Sequence, residues 1–394
     1  MRKRVCIRAL VRTEALVIYA VLWVSLMTVY FQIKIIPKYY VALEREMWLR
    51  NLKPNEDNQN VGIYNNTAGN ESDPINTVPS GSDVMKWFIH GPTMTPLRQK
   101  SRIHPHLKSY DVQKEVCHRG AVHLLIYIQS SPQNGYQRDA IRNTWGGVHN
   151  FKEIYVERIF LVAETDDKQV NESVEKERQK NDDIILCHFI DNYRNLSLKA
   201  ITLLDFVNNR CSNAKYILKT DDDIFVNIYL LIEKFIPQIV KKPKSVVCHG
   251  KYGHPIVTDP NSKWYMPSDI LPKADKGILP TFCTGYAVLF TIDLVPMLLN
   301  ASFTSPFVQV DDVYMFGFLL KRIADVNFID AIDSFTLNQE LGLAEYQDAK
   351  KPLEHCVLSA WEKGTQEKLW ERTIDKLSAV GKNIVNPGQL PYEY

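Results

Sequence analysis

The alternation of apolar and polar positions divides the chain into three textures. From Ala15 to Ile33, A-L-V-I-Y-A-V-L-W-V-S-L-M-T-V-Y-F-Q-I runs for nineteen residues without a charged side chain. As an α-helix that stretch rises about 28 Å, close to the hydrocarbon thickness of a bilayer. Residues 34 to 116 follow with no sustained period, rich in Asn, Pro, Ser and Asp, as in N-L-K-P-N-E-D-N-Q-N, and predict a tether. From Ala121 the texture becomes regular. H-L-L-I-Y-I-Q (123–129), E-R-I-F-L-V-A-E (157–164), D-I-I-L-C-H-F-I-D (183–191) and K-Y-I-L-K-T (215–220) predict strands. Between them Q-R-D-A-I-R-N-T-W (137–145), a polar run at 166–180 and the amphipathic L-S-L-K-A-I-T-L-L-D-F-V-N-N-R (196–210) predict helices. Strands alternating with helices imply an α/β fold with a Rossmann-like, doubly wound, mostly parallel sheet flanked by helices. Ligands of such sheets bind beyond the carboxyl ends of the strands.

Charge sets the orientation of the apolar span. Arg2, Lys3, Arg4, Arg8 and Arg12 all precede it, which keeps the N-terminus cytosolic and sends the rest of the chain across. A cleaved signal peptide has a shorter apolar core and a small-residue cleavage site, neither of which is present. The expected organisation is a cytosolic tail at 1–14, a transmembrane signal-anchor at 15–33, a lumenal stem at 34–116 and a catalytic head at 117–394. Asn65, Asn70, Asn171, Asn195 and Asn300 each open an N-x-Ser/Thr glycosylation sequon, in keeping with a lumenal head. Six cysteines follow the anchor, Cys117, Cys187, Cys211, Cys248, Cys283 and Cys356, enough for up to three disulfides unless some stay free and buried. No C-x-x-C pair occurs, which argues against a zinc or thioredoxin-like site. With 394 residues, 45% hydrophobic and a net charge of +2, the chain is globular, and nothing in its balance favours nucleic acid.

Chemistry concentrates where the fourth strand ends, in K-Y-I-L-K-T-D-D-D-I-F-V-N (215–227). Three adjacent carboxylates between apolar runs either hold a cation or form a sharp acidic surface turn. A hard divalent cation takes a few protein oxygens and leaves positions for the oxygens of a diphosphate. Alternate side chains of an extended backbone share a side, so Asp221 and Asp223 are expected to work together while Asp222 points elsewhere. Lys219, two residues earlier, would neutralise the cluster. A second acidic pair, Asp311 and Asp312, stands ahead of an apolar helix signature, where Asp commonly caps helices. Arg138 and Arg142 lie four apart on one helical face and suit either a donor diphosphate or carboxylate partners. Lys199 would contact a donor or be solvated, Trp145 reads as core, and His249 and His254 as ordinary surface residues.

Five ordered stretches resemble the animal β1,3-galactosyltransferase and β1,3-N-acetylglucosaminyltransferase family. They are R-D-A-I-R-N-T-W-G (138–146), D-N-Y-R-N-L-S-L-K (191–199), K-T-D-D-D-I-F-V-N (219–227), L-P-T-F-C-T-G-Y-A-V-L-F-T (279–291) and V-D-D-V-Y-M-F-G (310–317). The resemblance implies a GT-A type glycosyltransferase fold in a type II Golgi membrane protein, anchored through residues 15–33. It further implies a UDP-sugar donor, Mn²⁺ as the usual cofactor, and inversion at the anomeric carbon. Displacing UDP leaves charge on the β-phosphate, which a cation near Asp223 would stabilise. The attacking hydroxyl needs a carboxylate to take its proton. By resemblance Asp312 is that base, while Asp311 stands where the family usually has Glu, keeping the charge and shortening the reach.

The implied site therefore comprises Asp312 as catalytic base and Arg138, Arg142, Lys219, Asp221 and Asp222 on the donor. Asp223 with Asp221 would hold the metal, and Asp311 and Gly285, beside Cys283, would lie toward the acceptor. One departure stands out. Many relatives carry a metal-binding His just after the last sheet strand, whereas V-L-S-A-W-E (357–362) has none, and His355 precedes that segment. The expected activity is transfer of a hexose, galactose first, to a hydroxyl of a glycoprotein or glycolipid glycan in a β1,3 linkage. The alternatives are transfer of an N-acetylhexosamine or a non-catalytic sugar-nucleotide-binding protein on the same fold. An adhesion ectodomain would be mostly β-sandwich, which the strand and helix alternation argues against.

Overall fold

The structure, a computed structural model, describes residues 104–112, Cys117, 122–271 and 275–379. The expected tail, the membrane span at 15–33, and Asn65 and Asn70 lie outside these residues. Among the described residues no helix is long and apolar enough to cross a membrane.

The chain enters the sheet through β1 (Tyr110–Val112), three residues that the polar texture assigns to the stem. β1 pairs antiparallel with β5 (Ile184–Ile190). β5 lies in a parallel set with β4 (Ile154–Glu164), β2 (Leu124–Gln129) and β6 (Tyr216–Asp221), in the order β5-β4-β2-β6. Short β3 (Asn150–Phe151) pairs antiparallel with β4. Every residue of β2 is buried, as a strand covered on both faces requires. The crossovers are α1 (Gly135–Arg142), α2 (Lys168–Asn181) and α3 (Leu196–Arg210). Asp167 caps α2 by accepting the N–H groups of Gln169 and Val170, and of this polar helix only Val174 is buried.

Beyond β6 the topology departs from the mostly parallel expectation. β7 (Ile224–Val226) leaves the main sheet, and α4 (Ile228–Ile239) follows, its N-cap Asn227 accepting the N–H of Leu230. β8 (Ser245–Lys251) and β6 flank β9 (Phe282–Thr291), which runs antiparallel to both, and β10 (Asn327–Asp330) closes the edge parallel to β8. Among the described residues this nine-stranded sheet contains four parallel and four antiparallel ladders, so it is mixed. β9 is reversed because the connection between β8 and β9 has no crossover helix among its described residues and brings the chain back in the opposite direction. A second, three-stranded sheet has the order β11 (Phe335–Thr336), β12 (Val357–Ser359), β7. α5 (Leu294–Ser302), α6 (Asp311–Val313), α7 (Gln339–Gln347) and α8 (Thr365–Ala379) complete the order, and α6 continues as a π-helical turn, Tyr314–Leu319.

The two faces of β2 feed two cores, as a period of two demands. Leu124, Ile126 and Ile128 pack with Trp145, Phe225 and Trp370, whereas Leu125 and Tyr127 pack with Leu203, Tyr314 and Phe316. Two disulfides form among the described residues, Cys117–Cys211, joining the entry segment to the residue after α3, and Cys248–Cys283, joining β8 to β9. Cys187 and Cys356 are free and buried, and desolvation pushes both thiols up to about 12.

Candidate active site

The parallel strands β2 and β6 end at one edge of the sheet, and a cavity of about 860 Å³ opens there, the size of a sugar-nucleotide or drug-like ligand. Its walls come from the segment after β2, the turn after β6, the start of β9, α6, and the loop between β8 and β9.

The three consecutive aspartates occupy three environments. Asp221 pairs with Lys219 at 3.1 Å, and burial pushes its carboxyl up to about 7 against the pull of that lysine, with Asp311 and Asp223 adding repulsion. Asp222 is buried and accepts from Ser130 Oγ at 2.6 Å and Asn134 Nδ2 at 3.0 Å, so it braces the loop that leads into α1. Asp223 is exposed in the cleft, and its carbonyl accepts the N–H of Ala360 at 2.7 Å, tying the turn to the end of β12. The segment is thus a sharp turn and a charged cluster at once. Its internal cation is Lys219. The buried Nζ reaches Asp221 Oδ1 at 3.1 Å, Asp311 Oδ2 at 3.3 Å and the carbonyl of Gly285 at 2.5 Å, linking both acidic pairs.

Asp312 is held by two backbone donors. Its Oδ1 accepts the N–H of Val313 at 2.7 Å and its Oδ2 that of Gly285 at 3.0 Å. Burial, with the charge of Asp311 beside it, pushes its carboxyl up to about 6 while Lys219 pulls the other way. A Cβ on residue 285 would sit 3.0 Å from Asp312 Cβ, so glycine is what lets β9 approach the carboxylate. Asp311, expected on the acceptor side, lines the cleft and turns its carboxylate to Lys219 at 3.3 Å and to Gln129 Nε2 at 3.4 Å.

Of the two alternatives for Arg138 and Arg142, both residues take carboxylate partners. Neither lines the cleft. Arg138 is 1% exposed and spans Glu177 at 2.6 Å and Ser130 Oγ at 2.8 Å, while Arg142 grips Asp183 at 2.7 Å and Glu177 at 2.7 Å. Buried guanidinium groups seek carboxylates, and these lie on and beside α2. Arg138 still matters to the site, because Ser130 Oγ receives its N–H and donates to Asp222. Lys199 is buried in the cleft wall, holding Asp191 at 2.7 Å and the carbonyl of Ser130 at 3.0 Å. Trp145 is core, donating from Nε1 to Gln366 at 2.8 Å. Burial pushes His249 down to about 4, whereas His254 lines the cavity. The sequence reading missed Ser130, Asn134, Tyr193, Lys251, Lys263 and Trp264, all in the cleft wall and most of them on aperiodic loops.

Among the described residues no three His, Cys, Asp or Glu side chains are arranged to hold a metal. His355 is spent on Glu345 at 2.5 Å. Asp223, with Asp221 partly committed to Lys219, is the donor set available. It fits a hard ion that keeps its waters and takes substrate oxygens, and does not fit a closed protein cage. Of the sequons, Asn300 is exposed on α5. Asn171 donates its amide to the carbonyl of Thr165 at 2.6 Å, Asn195 donates to that of Ile190 at 2.8 Å, and Ser197 of the Asn195 sequon is fully buried.

Comparison with known proteins bears on the same region. A family model described as Galactosyltransferase matches residues 136–330. Beta-1,3-galactosyltransferase 1 of Mus musculus and that of Homo sapiens are each 35% identical over 223 residues, 56% of this chain and 67% of theirs. Beta-1,3-galactosyltransferase 5 of Pan paniscus is 29% identical over 207 residues, 52% of this chain and 67% of its own. A solved structure, the WbbM bifunctional glycosyltransferase, covers 67% of this chain and 52% of its own at 10% identity and a TM-score of 0.35, too slight to carry an argument.

Proposed function

Because this chain belongs to the β1,3-galactosyltransferase family, we propose that its cleft performs a single inverting displacement on a UDP-sugar. It is a hexosyltransferase that moves galactose from the UDP-sugar to a glycan hydroxyl in a β1,3 linkage. The carrying observation is Asp312, a carboxylate clasped by two backbone N–H groups in the wall of a cleft where Lys219 bridges its neighbour Asp311 to Asp221 of the other acidic run. The acceptor oxygen bonds to the anomeric carbon as the carbon–oxygen bond to UDP breaks, and the hydroxyl proton passes to Asp312. A carboxylate with a pKa near 6 is ionised at neutral pH yet more basic than an ordinary aspartate. Lys219 keeps Asp221 and Asp311 tolerable beside each other, and the Asp222–Ser130–Arg138 chain holds the wall in place. Mn²⁺ held by Asp223 and Asp221 would neutralise the departing diphosphate. The apolar span at 15–33 and the polar stem support a type II Golgi placement with the head lumenal.

The test is to present the full-length protein with a panel of UDP-sugars and glycan acceptors, with Mn²⁺ or with EDTA. Transfer from UDP-galactose is expected, and linkage analysis of the product should show a β1,3 bond. Exclusive use of a UDP-N-acetylhexosamine would overturn the sugar assignment, and the absence of both transfer and UDP-sugar hydrolysis would overturn catalysis.

A further inference from the structure

Four lysines line the cavity and they fall into two kinds. Lys199 and Lys219 are buried and hold carboxylates at 2.7 and 3.1 Å. Lys251, at the end of β8, and Lys263, on the loop that follows, form no carboxylate ion pair among the described residues. Nearby acids are engaged elsewhere. Asp330 accepts from the Tyr252 hydroxyl at 2.8 Å and the Gly250 N–H at 3.2 Å, Asp259 accepts the Asn261 N–H at 3.0 Å, and Asp275 pairs with Lys321 at 3.6 Å. Lys263 Nζ stands 5.1 Å from the ring centre of Tyr193 and 4.7 Å from that of Trp264, so two aromatic side chains fix its ammonium group. These rings remain 38% and 50% exposed, flat apolar surface in the wall of a polar cleft.

Position ties this cationic and aromatic wall to the base. Lys251 is opposite Phe282 in the β8–β9 register, three residues from the Gly285 that holds Asp312. The Tyr193 hydroxyl is pushed up to about 12 by burial, with Asp312 and Asp311 adding to the effect, so Tyr193 lies within their field. We propose that this wall is an acceptor subsite for a glycan bearing an anionic group, a carboxylate or a sulfate ester, close to the sugar that receives the galactose. The C–H face of a sugar ring would stack on Trp264 or Tyr193, and the anion would take charge-assisted hydrogen bonds from Lys251 and Lys263. The inference deepens the transferase reading and rests on it.

The test uses the full-length protein and matched acceptors, a neutral galactoside-terminated oligosaccharide and the same compound carrying a sulfate or a carboxylate on the neighbouring position. Two readouts are taken: the ratio of kcat/KM for acidic over neutral acceptor, and direct binding of each acceptor by saturation-transfer NMR in the presence of UDP. The ratio is expected to exceed about tenfold at low salt, through KM, and to shrink as ionic strength rises. In the variant Lys251→Ala with Lys263→Ala the ratio falls to about one, and Lys251→Arg with Lys263→Arg restores it. A ratio near one in the wild type, a preference that survives the double alanine variant, or a double variant that weakens UDP instead of the acidic acceptor would overturn the proposal. Acid-selective binding without transfer of any sugar would support the subsite and sink the transferase reading, so the two fail separately.

Discussion

Two runs of aspartate meet in one cleft and are treated in opposite ways. In Asp221–Asp223 the chain is leaving a strand, and successive carboxylates go to a lysine, to a pair of neutral hydrogen-bond donors, and to the open cleft. In Asp311–Asp312 the chain is entering a helix, and one carboxylate turns in to the same lysine while the other is clasped by two backbone N–H groups. The strand end spreads its charges. The helix start fixes one carboxylate on two backbone donors, while burial and the neighbouring Asp311 charge raise its proton affinity above that of an ordinary aspartate, as a base requires. The difference teaches that acid count says little about role; what each carboxylate is bonded to decides whether it braces, binds or accepts a proton.

The largest break in that comparison is expected from Asp312→Asn, which keeps the shape and removes the proton acceptor. Transfer should fall by roughly 10²- to 10⁴-fold, while UDP affinity measured by calorimetry stays within about twofold of the wild type; near-normal turnover would remove Asp312 from the mechanism. A subtler change acts on the same group from outside. Gly285→Ala puts a methyl 3.0 Å from Asp312 Cβ, and a base displaced by a fraction of an ångström should cost on the order of 10²-fold in kcat with UDP binding preserved. If kcat instead holds while KM rises, the close approach of β9 serves acceptor binding alone.

The parallel half of the head was legible because strands buried on both faces read as apolar runs and crossover helices repeat at three and four residues. The antiparallel half was not, since the loop at 252–281 has no period to announce that β9 will return beside β6. The aspartates were visible by adjacency, and the role of Asp312 came from resemblance. Arg138 and Arg142 show the limit most plainly. Helical spacing revealed that they share a face, but their partners Glu177 and Asp183 stand 35 to 41 residues away. Nothing local says whether a guanidinium will meet a protein carboxylate or a substrate phosphate. Lys251 and Lys263 raise the converse difficulty, because ordinary lysines become informative only when their neighbours fail to pair with them.

The donor side offers a further contrast, between Asp223 and Asp222. Asp223→Ala is expected to weaken UDP binding about tenfold in Mn²⁺ and to leave it unchanged in EDTA. Asp222→Ala should instead lower stability by about 1–3 kcal/mol in urea unfolding, because it strands the Ser130 and Asn134 donors that the buried carboxylate accepts. The same effect from both substitutions would mean the two aspartates share one role.

Proton linkage separates the two acidic runs by the smallest effect. Asp312 holds its proton up to about pH 6 in the folded chain, above the ordinary carboxylate range. Between about pH 4 and 6 the folded state therefore binds more protons at this position than the unfolded chain, and ionising the group on raising the pH costs stability. Asn cannot ionise, so Asp312→Asn should gain stability relative to the wild type as pH rises through that window, by about 1.4 kcal/mol for each unit by which the pKa is raised. Catalysis runs the other way. Only the ionised base accepts a proton, so wild-type kcat/KM should rise about tenfold per pH unit below 6 and level off above it. Urea unfolding of both proteins at pH 4.5 and 7.5, set beside the wild-type pH–rate profile, checks both signs together. A rate profile that bends near 6 with no matching stability difference would mean that another group carries the titration, and Asp221, pushed up to about 7 beside Lys219, is the neighbour to substitute next.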